Sequence, residues 1–201
     1  MSSTLNRRAF SLIEMLVSGT LLLLLLGMIT FTFQIGASAW RKTDTQSDLL
    51  QDLEKVGALW VREACGTRQL SLCSSGTAMA LPQAIDDLLD YEVSLPSGSL
   101  IYRRYRLYYW DSASREVRLR NLPFAAPVPC PPRLDSVDLG SGVQSINFYC
   151  TGGKAVARDV DQFQVHKNGN LWSIDIQARR TRYGRTDPEE VRVTFSAFPR
   201  N

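Results

Sequence analysis

Hydrophobic and polar positions alternate along the chain in three regimes. Residues 15–40 run for 26 positions without one formal charge, with six consecutive leucines at 21–26. A helix of that length spans about 39 Å, more than the roughly 30 Å of hydrocarbon in a bilayer. Beyond Trp40 the composition turns polar, but the helical period persists. Leu49, Leu53, Val56, Trp60 and Ala64 recur at steps of four, three, four and four, with Asp48, Asp52, Lys55 and Arg62 elsewhere around the helix. Together these stretches predict one long helix. Its first half is transmembrane, and its second half is amphipathic, with the leucine and tryptophan stripe packed on the protein's own sheet. Cys65-Gly66 predicts its end, the glycine supplying a left-handed cap.

Residues 66–98 are rich in Ser, Gly and Pro and poor in pattern; a short helix is expected at 81–89, with Pro82 in its first turn and Ile85, Leu88 and Leu89 on one side. Strand alternation begins at Ile101. Over 102–110, Tyr105, Leu107 and Tyr109 are expected to face inward, 111–114 to turn, and Val117 and Leu119 to continue the same inner face. A second hairpin turns at Asn168-Gly169, between strands at 163–165 and 172–176, and a last strand covers 191–195. Residues 123–142 hold five prolines and read as an irregular loop. The expected class is therefore α+β: a helix over 10–40 and 41–65, the latter amphipathic, packed on an antiparallel β-rich head over 66–201.

Length and composition narrow the function classes. A chain of 201 residues suits one domain plus an extra element. With 44% hydrophobic and 21% charged residues it is neither disordered nor collagen-like, and a single apolar run excludes a polytopic membrane protein. Net charge is +3 and falls to +1 without residues 1–9, so overall charge makes no case for nucleic acid. Arg7 and Arg8 precede the apolar run, and the positive-inside tendency leaves them in the cytoplasm with the residues beyond Trp40 on the far side of the membrane.

One charge interrupts this picture. Glu14 lies at the mouth of the apolar run, where a carboxylate costs up to about 2.5–3.5 kcal/mol at the bilayer centre on insertion scales. A plain anchor gives it no purpose, nor does a signal peptide cut after Ala37-Ser38-Ala39. The segment Arg7-Arg8-Ala9-Phe10-Ser11-Leu12-Ile13-Glu14 resembles the processing site of type IV prepilins and pseudopilins, where a short basic leader ends in a small residue before Phe, with Glu four residues on. The resemblance implies a leader at 1–9, cleavage between Ala9 and Phe10 by a prepilin peptidase, and N-methylation at Phe10. It also implies that the new amine, or that of a neighbouring subunit, neutralises Glu14 during assembly. Ala9 departs from the family's usual Gly. By length and late strands the head looks most like PilW-type minor pilins, or the J-type pseudopilins of type II secretion. That implies a structural subunit at the tip or priming complex of a pilus (fimbrium). Its partners would be the major pilin, other minor pilins, the inner-membrane assembly platform and a tip adhesin, with no cofactor.

The cysteines and arginines carry the remaining chemistry. Cys65, Cys73, Cys130 and Cys150 all follow the apolar run, in a compartment that permits disulfides. Three pairings are open, and Cys65–Cys73 with Cys130–Cys150 is favoured because each closes a loop within one region. Zinc is disfavoured, since there is no C-x-x-C pair and the single histidine, His166, reads as a strand surface residue. Arg103, Arg104, Arg106, Arg115, Arg118 and Arg120 face only Asp111 and Glu116 across the first hairpin, with Tyr102, Tyr108 and Trp110 among them. The primary expectation is a solvated face. As a binding face, Arg104, Arg106, Arg118 and Arg120 would grip an acidic subunit or single-stranded DNA. No phosphate-cradling loop, nucleophile elbow or metal-spaced histidine set is present, so enzymatic activity is not expected.

Overall fold

The computed structural model describes residues 11–83, 93, 98, 100–129, 131–181 and 188–199. Two compact units are distinguished, one ending at Asp44 and the other running Thr45–Asn201; helix α1 (Leu12–Gly66) contributes to both. In the first unit every residue from Ser11 to Gly36 is exposed. Among the described residues α1 is the one helix long and apolar enough to cross a membrane, and none of its apolar window is buried.

In the second unit the amphipathic stripe becomes core. Leu49, Leu53, Val56, Trp60 and Ala64 are at most 2% exposed, as their spacing predicts. Strands β1 (Cys73–Ser74), β2 (Ala78–Gln83), β3 (Tyr102–Asp111), β4 (Glu116–Val128) and β5 (Lys154–Ala157) form one antiparallel sheet in that order; β6 (Val160–Asn168), β7 (Leu171–Arg180) and β8 (Glu189–Ala197) form another. The α1 stripe shares a core with Met79, Tyr108 and Val117 of the first sheet and with Phe163, Ile174 and Ile176 of the second. On the other face of the first sheet, Tyr105, Leu107 and Tyr109 bury themselves against Leu134, Ile146 and Tyr149, which lie in single 3-10 turns at Leu134–Ser136 and Ile146–Tyr149. The class is α+β, a long helix packed on antiparallel sheets.

Several local expectations are corrected. The five-stranded sheet is covered on both faces, and the register pairs Tyr108 with Leu119 and Trp110 with Val117, so Val117 and Leu119 stand opposite to Tyr105, Leu107 and Tyr109 rather than beside them. Leu81 and Pro82 belong to β2, not to a helix; residues 84–89 of that expectation lie outside the described residues. Pro123 and Pro127 sit inside β4, where a loop is expected. β5 pairs only with Val117–Leu119, so among the described residues the later part of β4 has no partner on that edge, and there a missing N–H costs no ladder bond. Asn168 pairs with Leu171, which moves the hairpin turn to Gly169-Asn170; Gly169 at φ +59° takes the first central position, as a type II′ turn requires. α1 does end at Gly66, but without a left-handed residue. Its last carbonyls are satisfied instead by the Thr67 hydroxyl, which donates to Glu63 O at 2.9 Å, and by the Tyr102 hydroxyl, which donates to Gly66 O at 3.2 Å.

Gly57 decides how closely α1 approaches β8. A Cβ on it would overlap the ring of Phe195. In an exposed helix, Gly to Ala gains about 0.5–1 kcal/mol. Here overpacking, at about 1–3 kcal/mol, outweighs that gain. Gly57→Ala is expected to lower the thermal midpoint of the full chain in detergent, and Phe195→Leu in the same chain to restore part of it. A raised midpoint for Gly57→Ala alone would contradict the close approach.

Candidate functional site

Ala9 and Phe10 lie outside the described residues, so the site is built from Ser11 onward. Ser11 precedes the first helical residue. Its backbone N–H donates to Glu14 Oε2 at 2.9 Å, and Glu14 N–H donates to Ser11 Oγ at 3.3 Å. This reciprocal pair is a capping box, and it satisfies two of the donors that a helix start leaves unpaired. The Ser-x-x-Glu spacing ahead of an apolar run is its sequence signature. Glu14 therefore has a local task within its own chain besides any task in assembly. Further along, Ser18 donates to Glu14 O at 2.7 Å, Thr20 to Val17 O at 2.8 Å and Thr30 to Leu26 O at 2.8 Å. Each hydroxyl returns its proton to its own helix, and so the exposed surface of this segment is effectively apolar.

The four arginines of the expected binding face are not brought together. Arg120 pairs with Leu107 and Arg118 with Tyr109, which puts both on the side of the second core, whereas Arg104 and Arg106 alternate onto the side of α1. Residues two apart share a face, so each pair stays together, but the register of β3 with β4 sets the two pairs on opposite faces of the sheet. Each is also engaged within the head. Arg104 Nε donates to Gln83 Oε1 at 2.6 Å, and Arg106 pairs with Glu63. Arg118 meets Glu116 at 2.9 Å and Asp111 at 3.4 Å, while Arg120 donates to the carbonyls of Tyr149 and Thr151 at 2.9 and 3.0 Å. Arg115, in the turn at φ +55°, bonds Asp161 Oδ1 at 2.9 Å and Arg179 O at 2.7 Å. Much of this arginine content thus ties strands and loops together. His166 is exposed on β6, 3.4 Å from Asp175.

Sequence reasoning missed the buried polar cluster on α1. Glu63 is 4% exposed, paired with Arg106 Nη1, and accepts a hydrogen bond from the Tyr108 hydroxyl at 2.8 Å. Burial pushes the Glu63 carboxyl above the usual carboxylate range, outweighing the opposite pull of Arg106 and Tyr108. Burial, and then the Glu63 charge, raise the Tyr108 phenol as well. The cluster clamps the last turns of α1 to β3. Glu63 lies three residues after Trp60 and one before Ala64, which places a carboxylate in the apolar stripe; that is the signal by which it could have been found.

Cys65, Cys73 and Cys150 carry free thiols, and Cys130 lies outside the described residues. The expected Cys65–Cys73 bridge is absent from this structure, and the layers explain why. Cys65 is exposed on α1, while Cys73 pairs with Ala80 and is buried in the second core, so the sheet stands between them. Burial, then Asp135, raise the Cys73 thiol, and partial burial pushes Cys150 up to about 11, so both thiols stay protonated at neutral pH.

The chain matches no family model, no curated protein and no solved structure.

Proposed function

We propose that this chain is a minor pilin: a structural subunit of a type IV pilus, cut by a prepilin peptidase between Ala9 and Phe10, held in the inner membrane by its apolar helix with the head in the periplasm, and then docked with other pilin subunits. The observation that carries the reading is a Phe10-to-Glu14 spacing at the mouth of an apolar helix that continues, in one element, into the core of an antiparallel head. The exposed half of α1 suits lipid first and an apolar bundle of neighbouring helices later, with the same side chains serving both. Such a subunit needs no reaction site of its own. Its work is done by surfaces and by one placed charge.

The test is the mature N-terminus. Mass spectrometry of the membrane-extracted protein is expected to find a chain beginning at N-methylated Phe10. A bulky residue in place of Ala9 is expected to block the cut. A start at Trp40 would establish a secreted protein instead, and an intact Met1 a plain anchor.

A further inference from the structure

The uncharged run, at about 39 Å as a helix, is longer than the roughly 30 Å of hydrocarbon it has to cross. Something must decide which end emerges. Within residues 15–33 the polar side chains are Ser18, Thr20, Thr30 and Thr32, and each hydroxyl donates to a carbonyl three or four residues back. Those groups enter hydrocarbon with their protons already bonded. Gln34 is different. Its amide is exposed and bears two donors and two acceptor lone pairs, and the backbone N–H groups of a helix interior are all taken, so the amide oxygen has no donor to accept from in lipid. Trp40 follows at 78% exposure, with Arg41 and Lys42 next in sequence, the residue types that settle at a headgroup layer. Residues 15–33 span about 28 Å, which matches the hydrocarbon thickness.

We infer that only residues 15–33 lie in hydrocarbon, that the helix leaves it at Gln34, and that the Trp40 side chain, leaning back toward the helix N-terminus, lies at the phospholipid headgroup layer. The inference rests on the membrane reading above and adds a register to it. It implies that the helix emerges into the headgroups at Gln34, before the charged residues begin. The excess length then lies outside the hydrocarbon, and the helix needs no steep tilt.

Trp40 reports its own depth, because the other tryptophans belong to the head: Trp60 and Trp172 are buried and Trp110 is partly so. The full chain is reconstituted into phosphatidylcholine vesicles with acyl chains brominated either near the carbonyl or near the chain end, and bound protein is separated by flotation. The Trp40 signal is the difference between wild type and Trp40→Phe. Near-carbonyl bromine is expected to quench it at least about twofold more than chain-end bromine, as for a residue at the interface. Gln34→Leu is expected to draw Trp40 deeper and reduce that ratio. Equal or stronger quenching from the chain ends, or no quenching of floated protein by either lipid, would overturn the register while leaving the membrane anchor standing. Failure to float would overturn the anchor and the register together.

Discussion

Glu63→Ala is expected to cost the head about 3–5 kcal/mol, the usual penalty for stranding one member of a buried charged pair. The substitution leaves the Arg106 guanidinium, only 14% exposed at its side chain, and the Tyr108 hydroxyl with no acceptor on α1. Guanidinium denaturation of the full chain in detergent, followed by the fluorescence of buried Trp60, measures it. Glu63→Gln should lose less, because the amide oxygen still accepts from Arg106 while its NH2 can donate to the Tyr108 hydroxyl oxygen, although the guanidinium loses its counter-charge. Replacing Glu63 and Arg106 together by methionine should recover most of the loss, since two apolar residues of similar length leave neither charge behind. The pH dependence has a definite sign. Glu63 binds its proton more tightly folded than unfolded. Its contribution is therefore fully present below the unfolded value near 4.5 and is lost as pH rises through the raised folded value. Wild type should weaken relative to Glu63→Gln across that window; a wild type that strengthens instead would show that the pair, and not burial, governs the carboxyl, and a constant difference that the two cancel.

Periodicity made the long helix and its buried stripe legible, because a 3.6-residue repeat survives the change from apolar to polar composition. The hairpins were legible for a similar reason, with turn shifts of about one residue, which is within the tolerance of sequence-based boundaries. What failed was the number of layers. A strand pattern of period two states which residues share a face, not how many faces are covered. The alternation puts Tyr105, Leu107 and Tyr109 inward, and they are buried, but Tyr102 and Tyr108 are buried too. With both faces covered, the α1 side draws Arg106 inward to Glu63, the other side buries Cys73, and the arginines of β3 and β4 fall on opposite faces. Pro123 misled because proline forbids only a central ladder position, and edge status depends on where β5 stops. At the N-terminus the motif was visible while the capping box went unread, since one glutamate satisfies both patterns.

Glu14→Val is expected to leave the chain processed and membrane-bound but to reduce its incorporation into filaments by about tenfold or more, equivalent to roughly 1.4 kcal/mol of docking free energy. In the separate subunit the carboxylate already accepts the Ser11 N–H at the helix mouth, so retention in the membrane does not need a neighbour. Docking changes its surroundings. In an apolar bundle of helices the charge is desolvated, and a neighbouring N-terminal amine is the group able to neutralise it. Two controls separate docking from capping. Ser11→Ala removes the serine half of the capping box, a loss of about 1 kcal/mol in helix start, and keeps the charge. Glu14→Gln keeps an acceptor for the Ser11 N–H and loses the charge. If charge guides docking, sheared filament fractions will be depleted of Glu14→Val strongly, of Glu14→Gln in part, and of Ser11→Ala hardly at all, with equal amounts of all three in membranes. If Ser11→Ala is depleted as much as Glu14→Val, the defect lies in the helix start and not in subunit pairing. Full incorporation of Glu14→Val would show that this carboxylate does not guide docking, and the pilin reading would then stand on processing at Phe10 alone.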